Sequence, residues 1–488
     1  MTKLVLVVVD ALKPAMLERA VEEGKAPMFE EILRRGSYVP DCVSVFPSVT
    51  PAASATIATG APVDRHGVPS IDWYHRGERR YVDYGSSGQA VRTFGVLRTI
   101  TDTVYNMNFD HLSRVQPTFF ERLEDAGIRT ACTPFLIFRG RTRHELTLQG
   151  WMRRVARAAN FRHAVYGPSE LFYGELYASR EVDCTGAIAR PGTRDPYSGC
   201  VAAFCERNDL YDFMLFSLPD NDHYSHHHGP AETLTSIARA DRHLTDLVEA
   251  AGGADSFFAD HALILMADHS QTAVDDRIRL DMALGDWRVL LPNDVEPADA
   301  ELAVCPGARS AMVYVLREEE REETTRKVIA RLRELDGVEV LAWLDGEEAC
   351  VWTGRGELRF GPGATAHDVF EAGWDVDGAL ETLELEHVDG VIGSRVYPDG
   401  LGRLWSALHC AGAGDVLVSA ARGYEFVDWG GADHVGGGSH GSLRRGDSLG
   451  PLAFVNCGPN LGGDGARARP WSIADVYEIV LEHFGVTT

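Results

Sequence analysis

Seven residues of metal-ligating type, Asp10, Thr50, Asp222, His226, Asp268, His269 and His440, lie at separate points of the 488-residue chain. Each falls where the hydrophobic pattern ends a strand or opens a helix. Together they offer carboxylates, imidazoles and one hydroxyl, a ligand set for two divalent cations, with zinc favoured by nitrogen and manganese by oxygen. Paired metals with a hydroxyl between them are equipped for phosphoryl transfer. Taken singly, each residue has a plainer reading. Asp10 could cap the next helix. Thr50, ahead of Pro51, reads as an N-cap with Pro at the first helical position. The alternative is that Thr50 aims its oxygen at a metal while the free amides of its helix face a phosphate. Asp268-His269 ends the apolar run ALILMA, and two ligand types in succession there favour a site.

The segment DNDHYSHHHGP, residues 220–230, is dense in both ligand types. Asp-x-x-x-His lets Asp222 and His226 reach one ion; Asp220 lacks that spacing, which leaves His223, His227 and His228 behind the ligands or in solvent. His440 sits in the glycine loop GGGSHGSL, flexible enough to return a distant segment to the site, with His434 as a rival.

The elements that must position these residues follow from periodicity and punctuation. Leu4–Val9 is an apolar run suited to a strand buried on both faces. Helices are expected at Pro14–Glu23 and Pro27–Arg35, then extended chain at Tyr38–Val45. Residues 67–115 lack clean periodicity and read as an irregular excursion over the active face. Pro117–Ala126 reads as helix, and Arg129–Phe138 contains a strand. A second excursion, 139–205, carries seven arginines between Arg139 and Arg162 and an amphipathic candidate at Trp151–Ala159. The simplest reading of that stretch is a solvated surface helix; the alternative is a clamp for a second phosphate. Strands at Asp212–Leu218 and Ala262–Ala267 flank a helix at Ala231–Ala251. Met312–Leu316, Glu318–Leu335 and Val338–Trp343 suggest a compact α/β insert. The core resumes at Asp415–Ala420 and ends with a strand at Leu452–Val455 and a helix at Ile473–Phe484. The pattern predicts an α/β fold, a mostly parallel sheet sandwiched by helices. The expected divisions are 1–275 and 412–488 for the catalytic core and 276–411 for the insert.

The chain has no run of 18 apolar residues, so none is expected to span a membrane. Leu4–Val9 is too short for a signal peptide and runs straight into Asp10, which points to a cytoplasmic protein. Nine scattered cysteines without a CxxC pair suggest reduced, buried thiols and no disulfide. A net charge of −25 repels polyanions and excludes a nucleic-acid polymer as partner. A small anionic phosphodiester stays compatible, because bound cations reverse the local field. Oligomeric state is not legible.

FPSVTPAASATIATG at 46–60, followed by HG at 66–67, resembles the nucleophile segment of the nucleotide pyrophosphatase/phosphodiesterase family of the alkaline phosphatase superfamily. Asp10, D-x-x-x-H-x-x-G-P at 222–230, ADH at 267–269 and SHG at 439–441 match its metal motifs in the same order, over about residues 1–275 and 412–488. The resemblance implies an alkaline-phosphatase-like fold and hydrolysis of a nucleotide-type diester through a covalent phosphoryl-threonine at Thr50, and the expected cytoplasmic location adds a cyclic dinucleotide as a candidate. It also implies two ions, Zn2+ or Mn2+: one on Asp10, Thr50, Asp268 and His269, the other on Asp222, His226 and His440. Two departures stand out. Ser225 replaces a usual Gly, and the phosphate-binding Asn expected five residues after His66 is Ile71, followed by Asp72. Asn106 or Asn108 could replace that donor, and Trp73, Tyr74 or Trp151 could stack on a base. Asp72, Trp73 and Asn108 are therefore the substrate-binding candidates. The alternatives are a phosphomonoesterase or phosphonate C–P hydrolase on the same core, and a non-catalytic metal-dependent binding protein.

Overall fold

The computed structural model describes residues 2–147, 164–174, 176–185, 192–292, 299–458 and 469–487. Its central sheet has eight strands in the order Ser37–Val43, Leu449–Val455, His261–Met266, Lys3–Val9, Phe213–Leu218, Thr130–Cys132, Glu170–Tyr173, Tyr177–Ala178. The five strands from His261–Met266 to Glu170–Tyr173 run parallel, and antiparallel strands close both edges. Strand Lys3–Val9 is apolar at nearly every position because both its faces are covered. Leu4, Leu6 and Val8 enter one core with Ala52, Ile57 and Val480. Val5, Val7 and Val9 enter the opposite core with Leu17, Phe29 and Leu244. This alternation is the period of an extended strand.

Register explains why distant residues meet. Val9 lies opposite Leu218, and Val8 opposite Met266. The carboxyl ends of these three neighbouring strands therefore release Asp10, Asp222 and Asp268 at one edge, where open α/β sheets gather ligands. Helix Thr50–Thr59 lies beneath that edge with every residue from Pro51 to Thr59 buried, which its alanines permit by keeping the helix thin. It ends at Gly60, whose φ of 66° suits glycine.

A second, nine-stranded and mostly antiparallel sheet is built from residues 302–393 together with Val416–Ala420. That last strand was expected in the core. It pairs instead between Ser310–Val315 and Val338–Asp345, since an apolar run buried on both faces fits either sheet. Strand Thr272–Ile278 joins Gly423–Phe426 and Gly438–Ser439 in a small third sheet.

The two excursions are more regular than their composition suggests. Residues 67–115 hold a hairpin, Asp72–His75 with Arg80–Asp83, then helices Gly88–Phe94 and Val96–Ile100 and a π-helix over Thr101–His111. The second excursion contributes the sheet strand Glu170–Tyr173 and helix Arg194–Arg207. Trp151–Ala159 and the arginines at 153, 154, 157 and 162 lie outside the described residues. Arg139 is buried on Glu121 (3.0 Å) and the carbonyls of Leu112 (3.2 Å) and Ser113 (3.1 Å). Arg141 pairs with Glu121 and Asp125. Both tie the chain internally and neither reaches a phosphate site.

The expectation that every cysteine is reduced is corrected. Cys184 and Cys200 form a disulfide, and the other seven are free. The pairing joins positions 16 apart without any sequence motif, and it removes the cysteine argument for a reducing compartment. Among the described residues, no helix is long and apolar enough to cross a membrane.

Candidate active site

The seven predicted residues come together at the carboxyl edge of the central sheet, around a cleft of about 830 Å³. Asp10, Asp268 and His269 form one set and Asp222, His226 and His440 another, the ligand atoms of each set lying within 4.8 Å of one another. Asp222 and His226 sit one turn apart on helix Asp220–His228 and so share a face. The two aspartates in its first turn and the histidines in its last suit the helix dipole. His440 arrives on a loop whose glycines are forced by close approach. A Cβ on Gly437 would lie 1.9 Å from the carbonyl oxygen of His226, and one on Gly438 3.0 Å from that of Ser225.

Thr50 is the first helical residue, not the cap; Val49 caps, and Pro51 follows. A one-residue shift is the ordinary uncertainty of a helix boundary, but here it changes the chemistry. The N-cap position is Val49, which has no hydroxyl to cap with, so the helix start does not call on Thr50 as a cap. Thr50 Oγ1 lies 3.1 Å from His269 Nε2.

The three imidazoles are oriented in the same way. Nδ1 of His269 lies 3.3 Å from the Ser270 carbonyl, that of His226 2.8 Å from Gly438, and that of His440 2.9 Å from Ser48. A carbonyl can only accept, so each Nδ1 carries the proton and each Nε2 turns bare toward the centre, as metal-binding histidines are held. His269 Nε2 is 3.6 Å from Asp10 Oδ1 and 3.5 Å from Asp268 Oδ2. Asp222 lies 3.3 Å from His226 Nε2 and 3.6 Å from His440 Nε2. Donors about 2.0–2.1 Å from a tetrahedral zinc stand about 3.3 Å from each other. The spacing and the mixed nitrogen and oxygen set therefore fit a divalent cation in each cluster. So does Asp10 Oδ1, buried without a hydrogen-bond partner among the described residues.

The electrostatics carry the same imprint. Burial, then repulsion by Asp268 and Asp222, holds Asp10 well above the usual carboxylate range. Burial lifts Asp268 to about 7 against the N–H bonds from Ala11 (3.2 Å) and His269 (2.9 Å). At Asp222 burial also works upward, but the surrounding histidines outweigh it and hold this carboxylate well below its ordinary value. Burial lowers His269 to about 4. Near neutrality the ring is therefore uncharged. His269 therefore suits a neutral donor to a cation better than a general base.

Asp72, Trp73 and Asn108 do not line the cleft. Asp72 is buried in the hairpin, and burial, then Asp83 and Asp428, raises it well above the carboxylate range. Trp73 packs on His75 and His111. Asn108 staples the neighbouring loop, donating to the Leu136 carbonyl (2.9 Å) and accepting from Phe138 N–H (2.8 Å). Asn106 bonds to Asp102. Counting from His66 singled out Ile71 and Asp72, and of these Ile71 lines the cleft while Asp72 does not. His434 lines the cleft beside His226 but is held by Glu425 at 2.9 Å. His223 and His227 also line the cleft.

Several residues in the cleft or behind its lining gave no usable sequence signal. Gln271 donates to Asp222 Oδ1 at 2.5 Å. Arg194, which opens helix Arg194–Arg207, bonds Asp220 at 3.1 Å and reaches the cleft, as does Arg92. A third ligand-type group, His75, Glu78 and His111, stands apart. There His75 Nδ1 accepts the Glu78 N–H at 3.0 Å, which leaves the proton on Nε2 and makes His75 a poor donor to an ion.

Solved structures share this architecture. Murine ectonucleotide pyrophosphatase/phosphodiesterase 5 matches with a TM-score of 0.59 at 14% identity, over 99% of this chain and 95% of that one. An inactive threonine-to-alanine form of the same mouse protein, in complex with AMP, matches with a TM-score of 0.57 at 13% identity, over 100% and 96%. Phosphonoacetate hydrolase from Sinorhizobium meliloti 1021, in complex with phosphonoformate, matches with a TM-score of 0.55 at 18% identity, over 99% and 95%. No curated protein matches the sequence. The fold places the chain in the alkaline-phosphatase-like class, whose enzymes use divalent metals, usually zinc. Residues 4–442 match the type I phosphodiesterase/nucleotide pyrophosphatase family, and the chain belongs to that family of phosphoryl hydrolases.

Proposed function

We propose that the protein is a two-metal phosphodiesterase acting on a small nucleotide-type diester, with Thr50 as nucleophile. The observation that carries this reading is the convergence of two carboxylate–imidazole sets at one sheet edge, with the Thr50 hydroxyl 3.1 Å from His269 of the first. In the proposed sites Asp10, Thr50, Asp268 and His269 hold one Zn2+ or Mn2+, and Asp222, His226 and His440 the other. Bound there, such cations lower the pKa of a hydroxyl and neutralise charge on phosphoryl and leaving oxygens. The Thr50 hydroxyl gives its proton to solvent, Oγ1 attacks phosphorus in line, the bond to the leaving oxygen breaks with a proton from water completing the alcohol, and a phosphoryl-threonine forms. Water then attacks the phosphorus from the vacated side, releasing the monoester and restoring Thr50. The Ser270, Gly438 and Ser48 carbonyls keep the three Nδ1 protons in place throughout, and Gln271 steadies Asp222. The AMP complex of the mouse relative supports a nucleotide as substrate.

One observation favours a second reading. Ile71 presents hydrocarbon to the cleft where the family pattern calls for an amide donor, while Arg92 and Arg194 both reach in. More cationic donors and fewer neutral ones suit a dianionic monoester or a phosphonate, and phosphonoacetate hydrolase shares the fold. Rates on bis-p-nitrophenyl phosphate, p-nitrophenyl phosphate and phosphonoacetate separate the two. A clear preference for either of the last two defeats the diesterase proposal.

A further inference from the structure

A phosphoryl group seated against Thr50 finds few donors nearby. Pro51 has no N–H, Ala53 gives its own to the Val49 carbonyl at 3.0 Å, and Ile71 lines the wall with hydrocarbon. One turn along the same helix stands Ser54, fully buried and lining the cleft, its Oγ without a hydrogen-bond partner among the described residues. Residues four apart share a helix face, and side chains tilt toward the helix N-terminus, here toward Thr50. The other buried unpartnered serine hydroxyls, on Ser198, Ser225 and Ser439, do not line the cleft.

An unsatisfied buried hydroxyl is destabilising, a cost that alanine at the same place would avoid. The helix already carries Ala52, Ala53, Ala55 and Ala58, so a structural role gives no reason for serine. We infer that Ser54 donates its hydroxyl hydrogen to a non-bridging oxygen of the tetrahedral phosphorus group held in front of Thr50. It takes the place of the missing amide and helps set which phosphorus oxyanions the cleft accepts. This inference rests on the phosphoryl-transfer reading above.

The test uses full-length, zinc-loaded protein, wild type beside Ser54→Ala and Thr50→Ala. Binding of inorganic phosphate is measured by calorimetry, turnover of the p-nitrophenyl esters by absorbance, and the melting temperature by scanning calorimetry. For Ser54→Ala we expect phosphate affinity and kcat/KM to fall about tenfold, the worth of one lost hydrogen bond, while the melting temperature holds or rises. Opposite signs are the signature, because a merely structural serine would lower stability and leave phosphate affinity alone. Phosphate affinity within twofold of wild type overturns the inference. If phosphate binds and Ser54→Ala weakens it, but wild type turns over no ester, the catalytic reading fails and the role of Ser54 stands.

Discussion

Replacing Arg309 with methionine should show how strongly the second sheet grips the His440 loop. Its guanidinium has no solvent exposure and lies 2.7 and 2.8 Å from the two oxygens of an equally buried Asp447. It also donates to the carbonyls of Tyr424 (2.9 Å) and Ala421 (2.8 Å). Without it, the hydrogen bonds left to Asp447 among the described residues are from the Ser442 N–H (3.0 Å) and the Thr272 hydroxyl (2.5 Å). Stranding a buried carboxylate in this way costs about 3–5 kcal/mol. Replacing Asp447 with leucine as well should recover most of that loss, since an apolar pair of similar volume is often no worse than a buried ion pair. Urea denaturation of wild type, Arg309→Met and the double variant reads the effect. The Arg309 N–H also bonds the His440 carbonyl at 2.7 Å, and a Cβ on Gly441 would lie 2.9 Å from the Gly307 carbonyl. Loosening this contact should therefore weaken metal binding at the set containing His440 more than at the set containing Asp268. A loss below about 1 kcal/mol, or a double variant no better than the single one, would refute the reasoning.

Thr50→Ala should lower turnover by about three orders of magnitude or more, as loss of a nucleophile does, with the metal content retained; elemental analysis beside the rate assay checks both. Thiol titration of denatured, unreduced protein should count seven free cysteines, and reducing the Cys184–Cys200 bond, which spans 16 positions, should cost about 3 kcal/mol of stability. Burial raises Asp241 from 3.8 to about 6 although it accepts the Phe29 N–H at 2.7 Å. Its folded pKa lies above the unfolded value, so its contribution is full below about pH 4 and is lost as pH rises through 6. Asp241→Asn should flatten that part of the stability–pH curve, and an unchanged slope would contradict the assignment.

Most of the site was legible because its chemistry is bound to strand and helix ends. Apolar runs such as KLVLVVV and HALILM mark buried parallel strands, and the residue that stops each run is the one delivered to the sheet edge. Asp222 and His226 could be paired because one helical turn imposes their spacing. Residues whose position depends on side-chain direction in irregular chain were not legible. Ile71 and Asp72 differ by one place, yet the first lines the cleft and the second opens a buried hairpin strand. Val416–Ala420 could not be assigned to a sheet because VLVSA carries no mark of its partner. Ser54 was invisible for the opposite reason: a serine among alanines looks like filler until its hydroxyl is found buried in the cleft wall, without a partner among the described residues, one helical turn from Thr50.

The central claim is that two cations sit on either side of Thr50. A crystal structure of protein grown with zinc or manganese, with anomalous scattering collected at the metal edge, tests it most directly. Two peaks about 4 Å apart, one among Asp10, Asp268 and His269 and one among Asp222, His226 and His440, are the predicted result. A single peak elsewhere, or none with the metal in excess, would contradict it.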